Sequence, residues 1–220
     1  MERAKNMSAL LSNKTRICVI IILLFHLVGL IGFIIPSLIV LFMALVHWHL
    51  LLMLGVIIYS HDERNNNFIG FALIIAASGF IAECIGVHTG LLFGNYNYGG
   101  TLGSKLFEVP LMIGVNWFLL VYATGVTLKR SRIENKYLRI ITGATILTLL
   151  DVLIEPIAIR FDYWHWTGGI IPVKNYVCWF LVSALLLFVF EKFEFKRQSV
   201  VATVLLVTQF VFFAVLNFVY

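Results

Sequence analysis

Seven stretches of about 20 apolar residues are the feature that most limits how this chain can fold. They lie at roughly 17–35, 37–60, 67–87, 110–128, 138–160, 172–190 and 199–219. An apolar helix of that length crosses the roughly 30 Å hydrocarbon core of a bilayer. Only 12% of the 220 residues are charged, about half the fraction usual in soluble domains. The sequence therefore excludes a water-soluble globule. It predicts an all-α, polytopic transmembrane bundle of seven helices, forming a single integral membrane domain over residues 1–220.

Four prolines mark the predicted helix boundaries. Pro36 separates the first two spans. Pro110 and Pro172 lie near the start of the fourth and sixth, where a missing backbone N–H costs a helix little. Pro156 lies inside the fifth span. We expect it to bend that helix and to free the carbonyl of Val152, which a side chain or water must then satisfy.

The basic residues are divided unevenly between the two sides of the predicted bundle. If the N-terminus is cytoplasmic, thirteen of the sixteen lysines and arginines lie on the inner side, and only Lys105, Arg160 and Lys174 lie on the outer side. This positive-inside asymmetry predicts a cytoplasmic N-terminus and an external C-terminus. Because the charges are spread over short loops beside the bilayer, the sequence predicts no nucleic-acid partner.

The longest outer loop, at about residues 88–109, is rich in glycine and contains Tyr96 and Tyr98. Tyrosine is enriched where membrane proteins meet the lipid headgroups. Two interpretations stay open. The loop is either a re-entrant or interfacial lid with its tyrosines at headgroup level, or a glycine-rich turn with interfacial tyrosines.

Three carboxylates lie inside predicted spans, where an ionisable group costs about 2.5 to 3.5 kcal/mol at mid-helix. Asp151 and Glu155 share one helix face with Ala144 and Thr148, and that face must point into the bundle. Glu83 lies on the small-residue surface of the third span, which is expected to pack against other helices. Asp151 and Glu155 are neighbouring acids in a low dielectric, so we expect at least one to hold a proton at neutral pH. This arrangement favours acid–base chemistry.

Other polar groups are expected at the same depth as the carboxylates. Asn116 and Asn175 lie within two turns of the outer start of their helices, and the aromatic segment 163–166 follows the fifth span. We therefore predict one outward-opening pocket beneath the glycine-rich loop. For the two asparagines, hydrogen bonding that merely joins helices is an equal alternative.

Of the six histidines, His88 is the one expected to belong to the pocket, because it follows Glu83 at the outer end of the third span. His26, His47 and His49 are interpreted as buried core residues. The sequence predicts no metal site, since closely spaced histidine boxes are missing, and the last span has no lysine for a retinal Schiff base. Proton-coupled transport stays open, because inward carboxylates also build proton relays.

Five segments closely resemble the carotenoid biosynthesis membrane family, which includes carotenoid 1,2-hydratases and bisanhydrobacterioruberin hydratases. They are Glu83–Tyr98, Pro110–Trp117, Asp151–Pro156, Tyr163–Trp166 and Asn175–Tyr176. The resemblance extends over about residues 67–185. It implies a multi-pass protein of the cytoplasmic membrane of a bacterium or archaeon. The implied reaction adds water to the terminal double bond of an acyclic carotenoid and gives a tertiary alcohol without a redox cofactor.

The residues suit that chemistry, because hydration of such an alkene begins with protonation by a neutral carboxylic acid. We predict Asp151 as the proton donor with Glu155 and Glu83 as partners. Glu83, His88 and Asn116 are expected to orient and deprotonate the water. The predicted substrate-binding residues are Asn116, Trp117, Tyr96, Tyr98, Trp164, Trp166, Asn175 and Trp179. An acid-initiated carotenoid cyclase or isomerase, a proton-coupled lipid transporter and a carotenoid-binding membrane protein remain alternatives.

Overall fold

The computed structural model of the protein describes residues 12–220. Within that range, seven helices are long and apolar enough to cross a membrane, which confirms the predicted bundle and a multi-pass membrane protein. They are α1 (Asn13–Ile34), α2 (Ile39–Ser60), α3 (Asn66–Thr89), α4 (Met112–Arg130), α5 (Lys136–Arg160), α6 (Val173–Lys192) and α7 (Val201–Val219). Arg3 and Lys5, two of the charges behind the predicted orientation, lie outside the described residues.

Local capping explains where several of these helices begin and end. The side chains of Ser12, Asn65 and Asn135 accept hydrogen bonds from backbone N–H groups in the first turns of α1, α3 and α5, which satisfies donors that a helix leaves free. Gly90 ends α3 with a φ of 61°, a left-handed conformation that glycine adopts without strain. The chain therefore turns sharply at the end of α3.

Helix α4 is the central element of the bundle. In its most apolar window 72% of the residues are buried, against 17% for the span that contains α2. It packs against α2, α3, α5, α6 and α7. A Cβ atom added at Gly114 would lie 2.9 Å from the carbonyl oxygen of Ala76, so glycine permits the close approach of α4 to α3.

Three of the four prolines lie at helix boundaries. Pro36 starts a 3₁₀ turn between α1 and α2, and Pro172 caps the start of α6, as predicted. Pro110 lies in a short strand two residues before α4 and not in its first turn, because the chain pairs with itself at that point before it enters the helix.

Pro156 lies within α5, which continues from Lys136 to Arg160. The side-chain amide of Asn217 on α7 donates to the carbonyl of Leu153 at 2.6 Å. We expected a side-chain donor at the carbonyl of Val152, and the structure places one at the adjacent carbonyl instead. This hydrogen bond joins α7 to α5 beside the proline.

Two small antiparallel sheets, which the sequence analysis did not predict, join the loops at one end of the bundle. Strand β1 (Tyr96–Tyr98) pairs with β4 (Trp164–Trp166), and β2 (Lys105–Leu106) pairs with β3 (Val109–Pro110). The first sheet connects the loop after α3 to the loop after α5. It therefore holds these two loops together at the ends of the helices that carry the three carboxylates.

Candidate active site

The β1–β4 sheet presents four aromatic side chains to the bundle. Tyr96 is paired with Trp166, and Tyr98 is paired with Trp164. Because side chains alternate between the faces of a strand, these four lie on one face of the sheet, while Asn97 and His165 lie on the other. All four donate hydrogen bonds to carboxylates of the bundle.

Glu83 receives three hydrogen bonds from three neutral donors. The hydroxyls of Tyr96 and Tyr98 donate to its Oε2 at 2.5 and 2.7 Å, and the indole Nε1 of Trp117 donates to its Oε1 at 3.0 Å. Burial and the neighbouring Glu83 carboxylate raise the pKa of Tyr96 and of Tyr98, so both hydroxyls stay protonated at physiological pH. Both tyrosines are buried against Glu83 and do not project from the surface of the bundle.

Glu155 also receives three hydrogen bonds. The indoles of Trp164 and Trp166 donate to its Oε2 at 3.0 and 2.7 Å, and the amide of Asn175 donates to its Oε1 at 3.0 Å. Only 1% of Glu155 is exposed. The sheet that covers the bundle is thus anchored to two buried carboxylates, Glu83 through β1 and Glu155 through β4.

Asp151 lies behind Glu155, one helical turn earlier on the same face of α5. The amide nitrogen of Asn175 donates to Oδ2 of Asp151 at 2.8 Å as well as to Glu155, so one amide bridges the two acids. Among residues 12–220, the other oxygen of Asp151, Oδ1, is buried without a hydrogen-bond partner. A buried acid with one unpartnered oxygen, beside a second acid, is suited to hold a proton between the pair.

A cavity lies between the helices and the β1–β4 sheet. Its free volume is about 30 Å³, which is room for about one or two water molecules. Its wall combines carboxylates, amides and aromatic rings: Glu83, Phe93, Tyr96, Tyr98, Ile113, Asn116, Trp117, Glu155, Trp164, Trp166, Asn175 and Trp179. Glu83 and Glu155 therefore face one small space, whereas Asp151 does not reach its wall.

Aromatic rings form most of the apolar wall of this cavity. Trp117 and Trp179 stack at 4.4 Å between centroids with an interplanar angle of 19°, and Tyr96 lies 5.1 Å from Trp166. Aromatic faces carry negative potential and attract cations, by about 2 kcal/mol where water is excluded. The aromatic wall is thus suited to stabilise a positive charge inside the cavity, beside the carboxylates of Glu83 and Glu155.

Polar contacts on the rim fix the sheet above the cavity. Asp162 accepts hydrogen bonds from the backbone N–H of Gly100 and from the ring of His165, both at 2.7 Å. These two contacts, the backbone one first, lower the pKa of Asp162. Asp162 therefore ties the loop before β4 to the loop that follows β1.

The structure brings together every predicted substrate-binding residue and two of the predicted catalytic carboxylates in the cavity wall. It does not bring His88 there. His88 is about half exposed, with its Nδ1 atom 3.7 Å from a carboxylate oxygen of Glu108. Sequence reasoning missed Phe93 and Ile113, which also line the cavity. Phe93 lies in a loop with a φ of 63°, and the direction of its side chain depends on that backbone conformation.

Of the other histidines of the spans, His26 and His49 pack against each other, whereas His47 is half-buried and its Nδ1 atom has no hydrogen-bond partner among the described residues. His26 donates through Nδ1 to the carbonyl of Ile22 at 2.8 Å, and its ring lies edge-on to that of His49 at 4.6 Å. Across the part of the chain that the structure describes, no three His, Cys, Asp or Glu side chains are arranged to hold a metal ion.

Comparison with known proteins identifies a matching family and a curated relative. The family described as "Carotenoid biosynthesis protein" has a sequence model that matches residues 34–220, a range that includes all the cavity residues. A bisanhydrobacterioruberin hydratase of Haloarcula japonica is 28% identical to this chain over 140 residues, which are 59% of this chain and 47% of that protein. The chain thus spans about half the length of that relative. No solved structure matches it significantly.

Proposed function

Because the chain belongs to the carotenoid biosynthesis protein family, we propose that it is a hydratase that adds water to the terminal C=C bond of an acyclic carotenoid end group. The relative in Haloarcula japonica that is named a hydratase supports this reaction class. One observation carries the proposal. Two buried carboxylates, Glu83 and Glu155, line a cavity of water size whose remaining wall is largely aromatic.

The first step is protonation of the alkene. The less substituted carbon of the double bond takes the proton, and the positive charge develops on the tertiary carbon. We assign this step to Glu155 rather than to Asp151, because Glu155 lines the cavity and Asp151 does not. Asp151 is the second member of the acid pair, and the Asn175 amide donates a hydrogen bond to both carboxylates. Two neighbouring carboxylates in a low dielectric do not both ionise readily, so the pair holds a proton at neutral pH.

The second step is survival of the tertiary cation until water reaches it. The stacked indoles of Trp117 and Trp179 offer π-rich faces to the cavity. The carboxylate that Glu155 leaves after proton transfer adds a negative charge. Both interactions are strong because the site excludes bulk water.

The third step is attack by water on the cation. Glu83 accepts hydrogen bonds from Tyr96, Tyr98 and Trp117, which holds its carboxylate in place as the base. Asn116 lines the same cavity and orients the water. The water oxygen bonds to the tertiary carbon, one of its protons passes to Glu83, and that proton returns to Glu155 through water in the cavity. The net reaction consumes one water and no other reagent.

The end group enters from the lipid. The empty space is about 30 Å³, so the aromatic wall must open to admit a branched end group, and the polyene remains between the helices and the acyl chains. A carotenoid is about as long as a bilayer is thick, which places its end group at one membrane surface. We propose that this surface is the outer face of the cytoplasmic membrane, with the N-terminus inside.

Expression in a host that accumulates lycopene tests the reaction. We expect a more polar pigment whose mass exceeds that of lycopene by one water for each modified end group, measured by chromatography and mass spectrometry. A host with the empty vector is the control. An isomer of unchanged mass would identify a cyclase or isomerase instead, and unmodified lycopene despite folded protein in the membrane would contradict the hydratase proposal.

A further inference from the structure

A second cavity lies at the opposite end of the bundle from the carboxylates. It is formed where α4 and α6 end and α5 begins, and its volume is about 420 Å³. Four cations and two acids line it together with one aromatic ring: Lys129, Lys136, Arg139, Phe188, Glu191, Lys192 and Glu194. None of these residues has a part in the proposed hydration.

One ion pair gives this cavity a rigid wall. Nε and Nη2 of Arg139 donate to the two carboxylate oxygens of Glu191, each at 2.7 Å. Nη1 of Arg139 donates to the carbonyls of Ile133 and Glu134. Such a two-point contact fixes the orientation of both side chains. The pair therefore holds α5 to α6 and positions the loop between α4 and α5, without adding net charge.

The positive charges of the three cavity lysines are not neutralised by acidic partners. In the described chain none of them forms an ion pair, and each ammonium group lies over an aromatic ring. The distances are 5.7 Å from Lys129 to Phe190, 5.2 Å from Lys136 to Tyr137 and 5.1 Å from Lys192 to Phe188. Once Arg139 and Glu191 neutralise each other, three cations face one acid, Glu194. The cavity is therefore suited to bind an anion.

An apolar surface continues from the cavity along α6. Phe188 forms part of the cavity wall and is 40% exposed. Leu185 and Leu181 are exposed on the same helix, at spacings of three and four residues that place all three on one face. This stripe runs from the charged end of α6 toward the middle of the span. An anion in the cavity would therefore have an acyl-chain surface directly beside it.

We propose that this cavity binds the phosphate of an anionic phospholipid headgroup, with one acyl chain along Phe188, Leu185 and Leu181. A free phosphate shares the headgroup chemistry but gains nothing from the apolar stripe, and a zwitterionic lipid brings its own cation into a cavity that already has an excess of them. Basic pockets between membrane helices bind anionic headgroups by this charge complementarity.

Native mass spectrometry of the intact purified protein tests the proposal without measuring hydration. The detergent-solubilised protein is mixed with equal amounts of phosphatidylglycerol and phosphatidylcholine of identical chains, and the retained lipids are counted. We expect one phosphatidylglycerol to be retained preferentially. The triple variant K129Q/K136Q/K192Q should bind it roughly a hundredfold more weakly, at about a factor of five for each lysine.

Two further variants distinguish the cations that line the cavity from cations elsewhere on the protein. K14Q/R64Q/K196Q removes three cations that do not line the cavity, from the first turn of α1 and from the loops after α2 and α6, and should retain the lipid like the wild type. K129R/K136R/K192R keeps the charges and should also retain it, which distinguishes loss of charge from loss of the lysine side chains. Thermal unfolding of the glutamine variant checks that it is folded. Equal retention of the two lipids by the wild type, or equal loss in both glutamine variants, would overturn the proposal. So would full displacement by millimolar inorganic phosphate, which would indicate a site for a soluble anion.

Discussion

The two ends of the bundle hold charged side chains by opposite means. At the carboxylate end, Glu83 and Glu155 are buried beneath a sheet and receive only neutral donors from tyrosine, tryptophan and asparagine. At the other end, Lys136 and Lys192 are exposed, Lys129 is half-buried, and Arg139 is neutralised directly by Glu191. One end buries two acids without a cation beside them, and the cavity at the other end has cations in excess over acids.

The difference bears on the proposed acid–base chemistry. A carboxylate that is paired with a cation is stabilised in its charged form and exchanges a proton with a substrate less readily. An acid that is held only by neutral dipoles keeps its capacity to exchange a proton, at the cost of burying it without a counterion. The aromatic sheet is what makes that burial tolerable, because its donors converge on the carboxylates with little reorganisation.

The largest expected effect is on catalysis at the carboxylate end. Glu155→Gln keeps the size of the side chain but cannot protonate the alkene. We expect conversion of the carotenoid to fall by about 10² to 10⁴, the usual contribution of a general acid. Asp151→Asn should reduce conversion less, because Asp151 does not line the cavity. Pigment conversion in membranes with matched protein amounts measures both.

Glu108→Gln is the matched control for this comparison. Glu108 lies at the same end of the bundle, and its side chain is 75% exposed. The same chemical change should leave conversion within twofold of the wild type, by the small effect expected of surface substitutions. Full conversion by a folded Glu155→Gln protein would show that Glu155 is not the acid.

A second prediction concerns the packing that aims Trp117 at Glu83. A Cβ atom at Gly79 of α3 would overlap the Cβ and ring atoms of Trp117. Gly79→Ala should therefore destabilise the protein by about 1 to 3 kcal/mol, as overpacking does in cores, and displace the indole that donates to Glu83. Thermal unfolding in detergent and pigment conversion should both fall.

Gly70→Ala supplies the control for this packing argument. Gly70 is on the same helix, and a Cβ atom added there has nothing within 4 Å. The substitution should be neutral or slightly stabilising, because alanine favours helix over glycine. Equal losses in the two variants would show that α3 tolerates no added methyl group, and that contact with Trp117 is not the reason.

A third prediction concerns how much the ion pair at the basic end contributes to the free energy of unfolding. Arg139 and Glu191 have side chains only 15% and 9% exposed. Glu191→Gln leaves the guanidinium without its counterion, so we expect a loss of about 2 kcal/mol in unfolding free energy. The loss is measured as a lower thermal midpoint. Glu63→Gln breaks the exposed pair with Lys196 and should lower the midpoint much less, because solvent screens an exposed ion pair. Equal losses would contradict the role of burial.

The smallest effect is expected at the rim of the carboxylate end. Asp162 has its pKa lowered by the Gly100 N–H and the His165 ring, so it stabilises the fold in its charged form. That stabilisation is fully present above the pH at which an unfolded aspartate ionises, about 3.9, and is lost as the pH falls through the lower folded value. Its side chain is 47% exposed, so we expect only a few tenths of a kcal/mol from Asp162→Asn.

Thermal unfolding of the wild type and Asp162→Asn at several pH values checks this sign. The gap between the two midpoints should be constant above about pH 5 and should close below about pH 4. Asparagine adopts the left-handed conformation readily, so the φ of 58° at this position adds little strain. A gap that widens on acidification would contradict the assignment.

Several features of the site followed from local patterns. Asp151 and Glu155 share a face because four residues make about one helical turn, and both are indeed buried. Asn175 meets them because polar groups inside a bundle need partners. The contacts of Tyr96 and Tyr98 with Glu83 could not be predicted from local patterns, because tyrosine is equally suited to an interfacial position and to a buried hydrogen bond. The pairing of β1 with β4 joins residues about 70 positions apart, and no local pattern reports such a distance.

The lipid environment and the number of spans could be predicted from the amino-acid sequence, and so could the three acids inside the spans, because charge is scarce there. These properties depend on the length and polarity of each segment, and the bilayer imposes them on every helix independently. The tertiary structure alone decided which carboxylate reaches the cavity, that His88 does not, and that four cations surround a second cavity at the other end. Those outcomes depend on how helices and loops distant in the chain pack against each other. That packing is set by the shapes of many side chains together, and no periodicity within one segment records it.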